Sequence, residues 1–121
     1  MRIIASPMHR LLDFVTVVGF AVAPSLLGLT GGAATLSYAL AAIHLILTLL
    51  THFPGSPGRP VPLPLHGVIE GIVGLALVAL PFLAKWSGPP RTFYLAAGIV
   101  ILVVWALSNY RTTGTGTGSV A

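Results

Sequence analysis

The sequence predicts an all-α membrane protein with four transmembrane helices, arranged as two helical hairpins in tandem. Three observations predict this fold. Of the 121 residues, 55% are hydrophobic and 7% are charged, and the mean hydropathy is +0.97. Four apolar segments have the length that a helix needs to cross a hydrocarbon core of about 30 Å. The second half of the chain also matches the first at several rare residue types when the two are aligned without gaps.

Each apolar segment is predicted to be a transmembrane helix, because only a helix satisfies its own backbone polar groups inside lipid. The segments are residues 10–29, 34–51, 66–84 and 92–109. Short turns after the first and third segments favour two antiparallel hairpins. The proline-rich residues 52–65 are predicted to form an extended, semi-rigid linker between the hairpins. A single domain then covers residues 1–111, and the polar tail 112–121 is predicted to be disordered.

An internal repeat accounts for the two hairpins. Shifting the chain by 57 positions aligns residues 9–51 with residues 66–108. The aligned pairs include His9 with His66, Asp13 with Glu70 and Pro24 with Pro81. The chain has only 4 His and 2 acidic residues, so their coincidence indicates a repeat more strongly than the shared leucines do. Two helices per copy give both copies the same orientation, which predicts a parallel repeat about an axis along the membrane normal.

The basic residues predict the orientation of the chain in the membrane. With both termini in the cytoplasm, four arginines are inside, and Lys85 and Arg91 are outside, in accordance with the positive-inside rule. The inside set is Arg2, Arg10, Arg59 and Arg111. Because these charges are scattered along the chain, they do not predict a nucleic-acid partner.

The chain resembles the SPW repeat family of small bacterial integral membrane proteins, whose repeat is a two-helix unit with a proline near the far end of its first helix. The resemblance covers residues 9–110 as two copies, and the stretches that carry it are "HRLLDFVTVVGFAVAPSLLG" and "HGVIEGIVGLALVALPFLAKW". At the Ser-Pro-Trp signature the chain instead reads Ala-Pro-Ser at 23–25 and Leu-Pro-Phe at 80–82. The resemblance implies a multi-pass protein of the bacterial inner membrane and supplies no catalytic residues.

Five polar side chains are predicted to form a cluster toward the cytoplasmic face. His9 and Asp13 are four residues apart, as are His66 and Glu70, so each pair shares one helix face. His44 lies deeper, in the second segment, and its counterpart in the repeat is an isoleucine. Carboxylates inside a membrane almost always face the bundle interior and find a partner there. The His9–Asp13 pair and the His66–Glu70 pair are therefore expected to face each other.

Three interpretations of this cluster follow from its residue types. The preferred one is interhelical hydrogen bonding in a non-enzymatic structural or accessory protein, which requires no cofactor. A second is a proton or cation pathway that uses Asp13 and Glu70. In the third, His9, Asp13, His66 and Glu70 bind Zn²⁺, Mn²⁺ or iron, or His44 is an axial ligand of haem.

Other residues are assigned to helix geometry and packing. Pro24 and Pro81 lack an N–H and are predicted to kink or end the first and third helices. Gly67, Gly71 and Gly74 provide a surface for close helix approach. The aromatic residues near the span ends, Tyr94 and Tyr110 among them, suit anchoring at the membrane interface. Four short spans leave much apolar surface, so besides lipid we expect self-association or docking on a larger membrane complex.

Overall fold

The structure, a computed structural model, describes residues 3–54 and 58–110; the tail predicted at 112–121 lies outside them. Four helices form most of it: α1 (Ser6–Leu27), α2 (Gly31–Leu50), α3 (Leu63–Leu83) and α4 (Pro89–Leu107). Two short strands, β1 (Thr51–His52) and β2 (Val61–Pro62), lie between α2 and α3. All four helices are long and apolar enough to cross a membrane.

Prolines determine where three of the helices begin. Each helix begins three or four residues before the start that hydropathy predicts. Proline occupies one of the first two positions of α1, α3 and α4, where a missing N–H costs no hydrogen bond. The predicted starts miss these first turns because proline is also typical of loops and turns.

α1 and α3 end in the same way. Pro24 and Pro81 lie in the last turns of these helices, as expected for residues that cannot continue the hydrogen-bond ladder. The carbonyl group of Phe20, which Pro24 cannot bond, accepts a hydrogen bond from Ser37 Oγ at 2.6 Å. After the helix ends, a left-handed residue turns the chain: Gly28 with φ of 66° after α1 and Lys85 with φ of 56° after α3.

The helices pack in two pairs, α1 against α2 and α3 against α4. A core of Phe20, Ala33, Leu77, Tyr94 and Ile101 joins residues from all four helices. Tyr94 is completely buried and donates a hydrogen bond to the carbonyl oxygen of Ala33 at 2.6 Å. The prediction of an interfacial anchor is therefore wrong for Tyr94, which links α4 to α2.

The predicted small-residue surface of α3 faces α4 and the residues after it. A Cβ atom at Gly67, Gly71 or Gly74 would lie 2.9, 3.0 or 2.8 Å from a neighbouring side chain. These neighbours are Tyr110, Trp105 and Leu102. Gly98 of α4, which the sequence analysis did not single out, makes the closest approach to backbone: its Cβ would lie 2.9 Å from the backbone nitrogen of Val78.

The residues that follow α2 form a returning loop. β1 and β2 pair in parallel, with Thr51 opposite Val61, so the chain folds back and begins α3 beside the end of α2. The pairing places the two ends of the predicted linker, residues 52–65, side by side; residues 55–57 of that linker lie outside the described residues. At the other end of the chain, Ile4 forms an isolated parallel bridge with Ser108. Val61 lies 57 positions after Ile4, and Ser108 lies 57 positions after Thr51, so the two bridges join equivalent positions of the predicted repeat.

Candidate metal centre

The five side chains that the sequence analysis singled out lie together at one end of the bundle. His9 and Asp13 come from the first turns of α1, His66 and Glu70 from the first turns of α3, and His44 from the last turns of α2. All five residues are buried. The i, i+4 spacing places each histidine beside the acid of the same helix. The packing of the two helix pairs then brings the His9–Asp13 pair opposite the His66–Glu70 pair.

His9 and His66 each face both carboxylates through Nε2. His9 Nε2 lies 2.8 Å from Glu70 Oε1 and 3.2 Å from Asp13 Oδ1. His66 Nε2 lies 3.0 Å from Asp13 Oδ2 and 3.4 Å from Glu70 Oε2. Of the two acids, each histidine thus lies nearer to the one on the other helix. These four residues place ligand atoms within 4.8 Å of one another.

The close contacts of these histidines lack hydrogen-bond geometry. Among the described residues, Nε2 of His9, Nε2 of His66 and Oδ2 of Asp13 are buried without a hydrogen-bond partner. Buried polar groups of proteins are almost always hydrogen-bonded, and an unpartnered one requires an explanation such as a bound ion. Here three such atoms lie together in one cluster, and imidazole nitrogens and carboxylate oxygens are atoms that ligate metal ions.

The other ring nitrogen of each histidine is held by a hydroxyl group. His9 Nδ1 lies 2.6 Å from Ser108 Oγ, and His66 Nδ1 lies 2.7 Å from Thr51 Oγ1. Each hydroxyl group donates its hydrogen to a backbone carbonyl oxygen one turn earlier, at 2.5 Å from Ser108 and 2.6 Å from Thr51. The ring Nδ1–H therefore donates to the hydroxyl oxygen, and in the neutral ring the lone pair is on Nε2. Hydrogen bonds of this kind orient histidines that ligate metals.

Tyr110, which follows α4, contacts the cluster from the same end. Its hydroxyl group donates a hydrogen bond to Glu70 Oε1 at 3.0 Å. Its ring packs edge-on to His9, with 5.2 Å between ring centroids. Burial, with a further effect from the nearby Glu70 carboxylate, raises the pKa of Tyr110 above the ordinary value of 10.0. The hydroxyl group consequently stays protonated and donates at physiological pH.

His44 of α2 also lies close to both carboxylates. Its Nε2 lies 3.3 Å from Asp13 Oδ1 and 3.4 Å from Glu70 Oε2. Beside it is a cavity of about 30 Å³ between α2 and α3. Pockets that hold organic ligands are typically about 300–1,000 Å³, so this cavity has room for a water molecule but not for a haem group.

The separations in the cluster suit a small cation. Zinc binds imidazole nitrogen and carboxylate oxygen at about 2.0–2.2 Å, which in a tetrahedral site separates neighbouring ligands by about 3.3–3.6 Å. The histidine-to-carboxylate separations of 2.8 to 3.4 Å are close to that range. An ion between the four groups would need these close pairs to move apart by a few tenths of an ångström, and the wider pairs of the set, which lie within 4.8 Å, to approach.

Three residues of the site were missed from the sequence alone. Thr51 and Ser108 follow α2 and α4 and lie 57 positions apart. Their hydroxyl groups at equivalent positions of the predicted repeat are the signal that could have found them. Tyr110 was assigned to the membrane interface, whereas its hydroxyl group is directed at Glu70. No signal in one sequence distinguishes those two roles.

Comparison with known proteins gives no match to a protein-family model, to a curated protein or to a solved structure. The resemblance to SPW repeats therefore stays a prediction.

Proposed function

We propose that the chain crosses a bacterial inner membrane four times, with both termini on the cytoplasmic side. The most apolar windows of the four helices have mean hydropathies of 1.6 to 1.9. Large aliphatic side chains are exposed along all of them; Leu26 and Leu83, for example, expose 76% and 79% of their surface. Soluble monomers rarely leave such large apolar patches in water. Lipid is the solvent that suits this surface.

We further infer that α1–α2 and α3–α4 are two tandem copies of one hairpin. Contacts that recur at an offset of 57 positions support this inference. They are the bridges Thr51–Val61 and Ile4–Ser108, the hydrogen bonds of His66 with Thr51 and of His9 with Ser108, and the left-handed residues Gly28 and Lys85. The cluster then lies where the two copies meet.

We propose that the cluster binds one divalent transition-metal ion through His9, Asp13, His66 and Glu70. The observation that carries this proposal is the arrangement of the two histidines. Each Nδ1 is held by a hydroxyl group, and each Nε2 faces two carboxylates at 2.8 to 3.4 Å without hydrogen-bond geometry. With neutral rings, lone pairs would face carboxylate oxygens, and this contact is repulsive unless a cation lies between them.

Charge balance is compatible with a divalent ion. Two carboxylates bring two negative charges into a buried site, and burying an uncompensated charge is very costly. Arg10, the basic residue of α1, lies over the rings of Phe14 and Phe53 instead, and in residues 3–54 and 58–110 the ion pairs of both acids are with histidines. A divalent ion with two neutral imidazoles and two carboxylates has no net charge, whereas without it both histidines would have to be protonated.

Elemental analysis of the full chain purified in detergent tests the metal proposal. After incubation with Zn²⁺ or Co²⁺ and removal of free metal, we expect one ion per chain. The double variant Asp13→Asn, Glu70→Gln keeps the size of both side chains and removes both negative charges, and we expect it to retain none. Thr16→Val on the same helix is a matched control that should bind as the unmodified chain does.

A metal-free unmodified chain would overturn the proposal. The cluster would then hold the helices together by ion pairs and hydrogen bonds, and the chain would be a structural or accessory membrane protein, as the sequence analysis preferred. Self-association and docking on a larger complex remain predictions for the apolar outer surface in either case.

Labelling of single cysteines tests the topology, since the chain has 0 Cys of its own. We expect Arg59→Cys to react with an impermeant thiol reagent only after the membrane is opened. Thr30→Cys and Ser87→Cys, in the turns after α1 and α3, should react in intact cells. The reverse pattern would invert the orientation, and reaction of all three in intact cells would contradict four spans.

A further inference from the structure

His44 has no polar counterpart at the position 57 residues later. His44 of α2 lies beside the carboxylates, whereas the residue 57 positions later, Ile101 of α4, belongs to the apolar core. A site with only the paired ligands His9, Asp13, His66 and Glu70 would be nearly symmetric. His44 adds a third imidazole on one side alone.

That side of the cluster is also the side with a cavity. The cavity of about 30 Å³ is lined by His44 and Glu70 and otherwise by aliphatic side chains of α2, α3 and α4. A larger cleft of about 260 Å³ between α1 and α4 is lined by none of the five cluster residues. A small molecule or ion in the smaller cavity would contact His44 and Glu70 directly.

His44 is hydrogen-bonded to Asp13 Oδ1 through Nε2 at 3.3 Å, but its ring is less enclosed than the rings of the other two histidines. It is 8% exposed, whereas His9 and His66 are 1% and 0% exposed. No hydroxyl group holds its Nδ1 in residues 3–54 and 58–110, although Ser108 and Thr51 hold Nδ1 of the other two. An imidazole without such a partner keeps more freedom to rotate away from a metal ion.

We propose that His44 is the fifth, exchangeable ligand of the metal ion and that the ion or a water molecule reaches the site through the cavity between α2 and α3. This inference rests on the proposed metal centre. The paired ligands provide two nitrogens and two oxygens and hold the ion. His44 would occupy the fifth coordination position and would free that position when its ring rotates away. Only a small ligand could then bind, because the cavity holds about one water molecule.

The visible spectrum of the Co²⁺-loaded protein tests the ligand role, because four-coordinate Co²⁺ absorbs visible light more strongly than five-coordinate Co²⁺. The variant His44→Ile installs the residue of the other repeat and should fold normally. We expect it to retain one Co²⁺ per chain with stronger visible bands, and to release the ion to a chelator about tenfold faster or more. His52→Gln, which changes the histidine outside the cluster, is the control and should leave both properties unchanged.

A second variant tests the route. Val73→Phe adds volume to the wall of the cavity without removing a ligand. We expect slower uptake of Co²⁺ with an unchanged final spectrum. If the metal-loaded chain keeps its spectrum and release rate in His44→Ile, His44 is not a ligand and this inference fails while the metal centre stands. Uptake unchanged in Val73→Phe overturns the route, and an unmodified chain that binds no metal overturns both proposals.

Discussion

At the scale of single residues, the hydroxyl groups of Thr51 and Ser108 determine what the histidines can do. Each accepts from Nδ1 of a histidine and donates to a carbonyl oxygen in the last turn of the preceding helix. This arrangement fixes the ring orientation and directs Nε2 to the carboxylates. The hydroxyl groups are therefore part of the proposed site although they cannot reach the metal ion.

Removal of either hydroxyl group should weaken metal binding without removing a ligand. We expect Thr51→Val and Ser108→Ala each to lower the affinity for Zn²⁺ about 10- to 100-fold, the usual effect of losing a partner that orients a ligand. Competition with a chromophoric chelator measures the change. Thr16→Val is the control. Thr16 also donates to a carbonyl oxygen one turn earlier, at 2.9 Å, but it orients no histidine ring of the cluster. Equal affinities in all three variants would contradict the orienting role.

Tyr110 should have a smaller effect, and one that does not depend on pH. Tyr110→Phe removes the hydrogen bond to Glu70 and installs the residue found 57 positions earlier, Phe53. Because the pKa of Tyr110 is raised above 10.0, its hydroxyl group stays protonated throughout the assay. We expect the affinity ratio of Tyr110→Phe to the unmodified chain to be constant from about pH 6 to pH 9. A ratio that changes across this range would mean that the hydroxyl group titrates.

At the scale of helices, glycines determine how closely α3 and α4 approach. At Gly98 an added methyl group would lie 2.9 Å from the backbone nitrogen of Val78 and 3.0 Å from the backbone oxygen of Gly74. Backbone atoms cannot turn away as a flexible side chain can. We expect Gly98→Ala to lower the free energy of unfolding in detergent by about 1–3 kcal/mol, the usual effect of overpacking.

Gly19 of α1 is the matched control for Gly98, since nothing lies within 4 Å of a Cβ added there. Gly19→Ala should leave stability unchanged or raise it by about 0.5–1 kcal/mol, because alanine favours a helix more than glycine does. Thermal unfolding of both variants, followed by circular dichroism, measures the difference. Equal melting temperatures would mean that α3 and α4 move apart at little cost.

Sequence patterns predict the helices and the two His–acid pairs better than they predict the loops between helices. The i, i+4 spacing of His9 with Asp13 depends only on helix geometry, so it is readable from the chain. The hydroxyl groups of Thr51 and Ser108 lie just past the ends of α2 and α4, where periodicity carries no information. The loop before α3 turns back because β1 and β2 pair, and such a pairing between distant residues has no local signature.

The cluster connects the helix pair α1–α2 to the helix pair α3–α4. α1 packs mainly against α2 and α3 mainly against α4, so contacts between the pairs depend on a few groups. His9 contacts Glu70, and His66 contacts Asp13, across this boundary. Two backbone pairings also cross this boundary: Ile4 pairs with Ser108, and Thr51 pairs with Val61. A metal ion bound by both pairs would hold them together.

Metal binding should therefore stabilise the whole bundle, and the effect should depend on pH. An ion that binds only the folded chain stabilises it by about 2.7 kcal/mol at a free concentration 100 times its Kd. Protons compete with the metal ion for imidazole nitrogens and carboxylate oxygens, so the stabilisation is complete at higher pH and is lost as pH falls. We expect Zn²⁺ to raise the melting temperature in detergent at pH 8 and to raise it much less at pH 5. The double variant Asp13→Asn, Glu70→Gln should show no rise at either pH, and an equal rise in that variant would place the ion elsewhere on the chain.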